Sequence, residues 1–138
     1  MRTRFTVSPS LRAMLEARRR DGGDEVERES DAFLLDPGLG PASYLTGDGR
    51  VLIDGRDWDG DAIREATDDE ATTAIVVGAK KTGVAELLAL LPPRPSGAVP
   101  CATCSGGRWA KVHPSADLTI VCPTCGGRGW GSLGPESA

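Results

Sequence analysis

All cysteines of this 138-residue chain lie in two C-x-x-C pairs, within the stretch CATCSGGRWAKVHPSADLTIVCPTCGGRGW at 101–130. A C-x2-C-x17-C-x2-C spacing lets two tight turns grip one metal while the intervening residues fold back as a hairpin. Four sulfur ligands favour tetrahedral Zn²⁺ and fill its coordination shell, which indicates a structural metal. The sequence therefore predicts one structural Zn²⁺ bound by Cys101, Cys104, Cys122 and Cys125. Redox-active dithiols and a thiolate-bound iron are the alternatives.

The two cysteine pairs belong to an internal repeat. Cys101, Thr103, Cys104, Gly106 and Trp109 recur at a constant offset as Cys122, Thr124, Cys125, Gly127 and Trp130. Glycine adopts the positive φ values that sharp turns around a metal need, so its recurrence fits two equivalent turns. The pattern predicts a pseudo-twofold ribbon.

This repeat resembles the C-x-x-C-x-G-x-G repeat of the cysteine-rich domain of DnaJ-type co-chaperones. CPTCGGRG at 122–129 matches it throughout, and CATCSGGR at 101–108 matches it except that Arg108 replaces the last glycine. The resemblance implies that the four cysteines are the ligands of one zinc site of that domain. The family's domain has four repeats and two zinc ions, whereas this chain has one pair of repeats. The J-domain signature His-Pro-Asp is absent, since Ser115 follows His113-Pro114, which excludes a co-chaperone that stimulates a chaperone ATPase.

Aromatic and basic side chains of the ribbon form a candidate partner-binding set. Two tryptophans at matching repeat positions can form a platform for a peptide or a nucleobase, or can cover the thin core of a small zinc module. Basic side chains lie beside them in sequence. The candidate residues are Trp109, Trp130, Arg108, Lys111 and Arg128.

The preceding part of the chain predicts a small α+β domain. The sequence predicts the following elements: a helix capped by Ser8 and ending near Arg20, a solvated loop in DGGDEVERESD at 21–31, a hairpin around Gly47-Asp48-Gly49, a helix that begins from one of the aspartates of DWDGDAIREATDDE at 57–70, a buried strand in TTAIVVGA at 72–79, and a helix in TGVAELLALL at 82–91. This order resembles the SUKH superfamily of α+β domains, many of which are bacterial immunity or regulatory binding proteins.

Prolines in PPRPSGAVP at 92–100 lack amide donors and cannot continue a helix, so they mark a domain boundary. The predicted fold class is α+β, with a small helix/hairpin/helix domain followed by a β-hairpin zinc ribbon. The predicted organisation is a domain at 1–92, a proline-rich linker at 93–100, a DnaJ-type ribbon at 101–130 and a flexible tail at 131–138.

Charge and composition limit the function. The formal net charge is −4, with acids concentrated between Asp21 and Glu70, which disfavours a dedicated nucleic-acid binder. No apolar run reaches the roughly 18 residues of a membrane span, and the N-terminal stretch lacks the apolar core of a signal peptide. These observations predict a cytoplasmic protein with no membrane partner.

No catalytic constellation is visible, and the single histidine lies within the ribbon, so an enzyme is not predicted. The predicted function is a non-enzymatic zinc-binding module whose ribbon or acidic first domain engages a partner polypeptide in a chaperone-like, adaptor or immunity-type role. One alternative is a thiol-disulfide oxidoreductase or redox-switched holdase that uses the C-x-x-C pairs. The other is binding of RNA or single-stranded DNA by the ribbon.

Overall fold

A computed structural model describes residues 4–19, 22–37, 41–56, 62–113, 115 and 118–131. The chain divides into two compact units, Met1–Leu91 and Pro92–Ala138. Helices and antiparallel strands both occur, so the fold class is α+β. The elements are α1 (Pro9–Glu16), α2 (Glu25–Ser30), β1 (Ala32–Asp36), β2 (Ala42–Thr46), β3 (Val51–Asp54), β4 (Arg64–Glu65), α3 (Asp68–Thr82), a 3-10 helix (Ala85–Leu90), β5 (Trp109–Lys111) and β6 (Thr119–Val121).

The first unit is built on a four-stranded antiparallel sheet in the order β1-β2-β3-β4. Side chains alternate between the faces of a strand, so each face has its own apolar cluster. Phe33 and Leu45 belong to the larger cluster, together with Ile75 of α3 and residues of α1. Tyr44 belongs to the smaller cluster, together with Val26 of α2. Helices therefore cover the sheet on both faces.

The predicted hairpin around Gly47-Asp48-Gly49 is confirmed, since it joins β2 to β3. Gly49 has a φ of +91°, and its carbonyl oxygen accepts a hydrogen bond of 2.8 Å from the amide of Phe5. A Cβ at Gly49 would lie 1.8 Å from the carbonyl oxygen of Phe5. Both the dihedral and the close approach therefore require glycine at the turn.

The N-terminal helix also begins as predicted, because the Ser8 hydroxyl oxygen accepts a 3.0 Å hydrogen bond from the amide of Leu11. It ends at Glu16, one turn earlier than expected. The solvated loop predicted at 21–31 is wrong for Glu25–Ser30, which form α2. Asp24 and Glu27 form a capping box that satisfies the first amides of this short helix, and Val26 anchors it to the sheet.

The predicted strand at 72–79 is wrong, since these residues lie inside α3. Thr67 and Glu70 form a capping box, and the buried small and apolar positions recur at helical spacing. Gly78 lets the helix approach the sheet closely, because a Cβ there would lie 2.8 Å from a methyl carbon of Leu35. Packing on the sheet thus overrides the strand preference of the β-branched run.

The helix predicted to begin from one of the aspartates of 57–70 begins at Asp68, after the N-cap Thr67. The described residues before it include Arg64–Glu65, which pair with β3 as strand β4. Residues 57–61 lie outside the described residues, as do residues 132–138 of the predicted tail. The segment at 82–91 is helical as a 3-10 helix, and it begins after Gly83 ends α3 at a φ of +77°. In the part of the chain that the structure describes, no helix is both long and apolar enough to cross a membrane.

Candidate metal centre

The second unit carries a short antiparallel hairpin, in which Trp109 of β5 faces Val121 of β6. One C-x-x-C pair precedes this hairpin and the other follows it. Equivalent backbone hydrogen bonds occur at the two pairs. The amide of Cys101 donates to the carbonyl of Gly129 (3.1 Å), and the amide of Cys122 donates to the carbonyl of Arg108 (2.8 Å). Each of these residues lies 21 positions from its counterpart, so the two bonds are related by a pseudo-twofold axis.

Side chains of equivalent residues meet across this axis. The sulfurs of Cys101 and Cys122 are 3.8 Å apart, as are those of Cys104 and Cys125. The hydroxyl groups of Thr103 and Thr124 are hydrogen-bonded at 2.9 Å. The internal repeat of the sequence is therefore a structural repeat, in which corresponding residues contact each other.

The turns after each pair have the same left-handed backbone. Positive φ values occur in matched pairs, at Ser105 and Gly126 (54° and 65°), Gly106 and Gly127 (80° and 89°), and Arg108 and Gly129 (72° and 92°). Arg108 thus adopts the conformation of the glycine that the motif leads one to expect. Its guanidinium donates to the carbonyl oxygens of Gly127 (2.9 Å) and Arg128 (3.0 Å), and these bonds offset the strain of a non-glycine residue there.

These turns bring the four cysteine sulfurs to within 4.8 Å of one another. In a tetrahedral site with metal–sulfur bonds of about 2.3 Å, neighbouring sulfurs are about 3.8 Å apart. Both pairs of sulfurs across the axis have this separation. Three of the four cysteines are buried and Cys104 is half-buried. The cysteines are therefore arranged to bind a metal ion.

Two of the thiols, one from each C-x-x-C pair, have different environments. Burial raises the pKa of Cys101, but amide donors from Cys104 and Thr103 and neighbouring thiols outweigh it and lower that pKa to about 7. Burial raises the pKa of Cys125 to about 11, with opposition from the amides of Gly129 and Gly127. Clustered thiols cannot all ionise without a cation, because each new thiolate meets the negative charge of its neighbours. The cluster thus accommodates four thiolates when a metal cation sits among them.

The predicted partner-binding residues lie in the ribbon, where two of the cations have internal contacts. Arg108 bonds across the axis as described above, and the guanidinium of Arg128 lies 4.1 Å over the ring of Trp130 and donates to its carbonyl oxygen (3.0 Å). Trp109 and Trp130 are half-buried, whereas Lys111 is exposed. Their role in partner binding stays a prediction.

An apolar patch on the hairpin was missed by the sequence analysis. Val112, Leu118 and Ile120 expose 53%, 66% and 42% of their surface. Ile120 faces Ala110, and the amide of Val112 donates to the carbonyl of Leu118, which places these side chains on one face of the hairpin. The alternation of apolar and polar residues around the strands is the signal that could have revealed it.

Comparisons with models of protein families, with curated proteins and with solved structures find no match. The resemblances to DnaJ-type cysteine-rich repeats and to SUKH domains therefore stay predictions. The geometry of the cysteine cluster stands independently of them.

Proposed function

We propose that the second unit binds one Zn²⁺ through Cys101, Cys104, Cys122 and Cys125, and that the unit serves as a non-enzymatic protein-interaction module. The observation that carries the metal assignment is the packing of the four sulfurs within 4.8 Å, with separations that suit a tetrahedral ion. Soft thiolates favour Zn²⁺ over the hard cations Mg²⁺ and Ca²⁺. Four protein ligands leave no coordination position for a substrate, so the metal's role is structural.

The proposed metal would stabilise a unit with little apolar core. The buried cluster of this unit consists of Cys101, Cys122 and Cys125, with Cys104 and Ala110 packed against it. Removing the cation would leave the thiols to share protons in a small buried space. Folding of this unit should therefore be coupled to metal binding.

The partner that suits the module best is an extended polypeptide with apolar side chains. Val112, Leu118 and Ile120 form an apolar surface on one face of the hairpin, with the exposed Lys111 adjoining it in sequence. Exposed apolar side chains gathered on one face are typical of interaction surfaces. The guanidinium groups of Arg108 and Arg128 each donate to backbone carbonyl oxygens of the ribbon, which leaves fewer of their N–H donors for a nucleic acid.

The metal assignment is tested by native mass spectrometry of the full chain purified without added metal. We expect one zinc in the wild type, its loss in Cys122→Ser, and its retention in the matched control His113→Ser, which changes an exposed residue of the hairpin. We also expect zinc to survive mild peroxide. Bound iron, or zinc retained by Cys122→Ser, would overturn the assignment. Disulfides within the C-x-x-C pairs and zinc expelled by peroxide would replace it with thiol redox chemistry.

The interaction role is tested with a permanently unfolded chain, reduced and carboxymethylated lactalbumin, by fluorescence anisotropy. A variant carrying Val112→Ser, Leu118→Ser and Ile120→Thr should bind about tenfold more weakly, because it removes most of the apolar contact area. The control variant Lys111→Ser with His113→Ser should bind like the wild type, and zinc content should be unchanged in both. Equal binding by the patch variant, or tight salt-dependent binding of oligo(dT) instead, would refute the polypeptide role.

A further inference from the structure

The first unit contains a cavity of about 610 Å³ beside the outer edge of strand β1. Apolar side chains of Leu15, Phe33, Leu34 and Leu35 line part of it. Charged residues from the end of α1, the start of α2 and the end of α3 line the rest. Sites for small molecules typically enclose about 300–1,000 Å³ and combine an apolar lining with a few convergent polar groups.

The two acids that line this cavity are engaged by the protein itself. Glu27 is 7% exposed, and its carboxylate accepts hydrogen bonds from the amides of Asp24 and Leu34, both at 3.0 Å. Asp24 accepts from the amide of Glu27 and from the hydroxyl of Tyr44, both at 2.9 Å. Both acids therefore serve as structural acceptors, one at a helix N-terminus and the other at the strand edge.

Of the basic residues, Arg18 donates from its Nε to the carbonyl oxygen of Thr82 (2.9 Å), whereas Arg19 and Lys81 are less completely engaged. Arg19 donates to the carbonyl oxygen of Ala32 (2.6 Å), and its guanidinium stacks 4.2 Å from the ring centre of Phe33. Its Nε is buried and has no hydrogen-bond partner among the described residues, and it lies 3.7 Å from a Glu27 oxygen. Lys81 lies 4.0 Å from Asp36, the outer limit of an ion pair. The Arg19 side chain as a whole keeps 19% of its surface exposed and lines the cavity, so an anionic ligand there would meet its positive charge.

Charge and shape together define the ligand class. Among the described residues that line the cavity, the basic Arg18, Arg19 and Lys81 outnumber the acidic Asp24 and Glu27, so an anion is favoured over a cation. The guanidinium fork suits a planar carboxylate, and the apolar lining suits a hydrocarbon group. We propose that this cavity binds a small amphipathic carboxylate, with its head at Arg19 and Lys81 and its apolar part against Leu15, Phe33 and Leu34.

The first arm of the test compares octanoate with octan-1-ol on the zinc-loaded full chain by ¹⁵N NMR titration. We expect saturable octanoate binding that shifts the amides of Leu34, Leu35 and Thr82. Octan-1-ol, which has the same chain without the charge, should bind about tenfold more weakly. Equal affinities, amide shifts confined to other regions, or no saturable binding at millimolar octanoate would each overturn the proposal.

The second arm compares charge-matched variants in the same titration. Lys81→Gln should weaken octanoate binding about threefold to tenfold, whereas Lys80→Gln, one residue earlier on α3 and outside the cavity, should leave it unchanged. Arg19→Lys keeps the charge but removes the planar guanidinium fork, and should weaken binding at least as much. If Arg19→Lys does not fold, the two lysine variants still decide the matter. Equal effects of Lys81→Gln and Lys80→Gln would refute the site. The zinc content of each variant is measured in parallel, so that a failure of this proposal can be told apart from a failure of the metal assignment.

Discussion

The two units of this chain differ in what fills their interiors. In Met1–Leu91 the interior consists mainly of apolar side chains from the helices and from strands β1, β2 and β3, such as Phe33, Ile75 and Leu87. Among the described residues of Pro92–Ala138, the buried cluster consists of Cys101, Cys122 and Cys125, with Cys104 and Ala110 packed against it. Many apolar contacts each contribute a little to the stability of the first unit. In the second unit, we expect one metal site to contribute most of it. A single chemical change should therefore affect the two units very differently.

Metal removal is the largest expected effect. Treatment of the full chain with a chelator should unfold Pro92–Ala138 and leave Met1–Leu91 folded, because a structural Zn²⁺ contributes about 10–16 kcal/mol of apparent folding free energy in small zinc modules. In ¹⁵N NMR spectra, the amides of Trp109 and Gly129 should collapse to random-coil positions while those of Leu45 and Ile75 stay dispersed. Dispersed amide signals from the ribbon in metal-free protein would contradict the expected dependence of the second unit on metal.

A substitution that leaves an unfilled space in the core of the first unit should destabilise that unit and leave the second unit unaffected. Leu87 is fully buried, so Leu87→Ala should lower the free energy of unfolding of this unit by about 2–5 kcal/mol through lost burial and an unfilled cavity. The control Leu118→Ala, at a position 66% exposed, should change stability by less than about 0.5 kcal/mol. Urea denaturation measures both, and zinc content should stay at one per chain. Similar losses from the two substitutions would contradict the assignment of the core.

Arg108 offers a finer test within the ribbon. Arg108→Ala removes two hydrogen bonds and keeps a non-glycine residue at a φ of 72°, so it should cost about 1–2 kcal/mol. Arg108→Gly loses the same bonds but relieves the backbone, and should be more stable than the alanine variant by about 1 kcal/mol. Competition for zinc with a chromophoric chelator ranks the variants. An alanine variant that equals or exceeds the glycine variant would show that the backbone is not strained here.

The smallest expected effect concerns the N-terminus of α3. The Arg64 guanidinium donates to both oxygens of Glu70 at 2.7 Å and lowers the pKa of this carboxyl from 4.5 to about 2, with further help from the amide of Thr67. A folded pKa below the unfolded one stabilises the protein above about pH 4.5, and the contribution is lost as the pH falls toward 2. The side chain is 39% exposed, so Glu70→Gln should cost only about 0.5–1 kcal/mol at pH 7.

The decisive measurement is how the stability difference between the wild type and Glu70→Gln depends on pH. Thermal melts of the wild type and Glu70→Gln should converge between pH 4.5 and 2. Asp69→Asn serves as the control, since it changes an exposed carboxylate in the same helical turn. A difference in melting temperature between the wild type and Glu70→Gln that stays constant down to pH 2 would mean that the ion pair does not cause it.

The sequence predicts the cysteine cluster well because its determinants are local. Ligand chemistry depends on Cys101 and its partners, and the turns depend on glycines two residues further along. The strand predicted at 72–79 failed because Ile75 and its β-branched neighbours prefer strands locally, whereas packing on the sheet and the Thr67–Glu70 capping box favour a helix. The bonds of Arg108 could not be predicted, since their acceptors come near only once both turns have formed.

The pseudo-twofold contacts of the ribbon make it an isologous assembly within one chain, because Thr103 meets Thr124 as a residue meets its own copy at a dimer interface. The hairpin then tethers two half-sites, each formed by one C-x-x-C pair. This tether sets an effective concentration of millimolar order for one half-site at the other. Proteolytic nicking between Val112 and Leu118 would remove that tether without touching a ligand. Metal uptake would then depend on the concentration of two separate fragments, and dilution alone would release the ion.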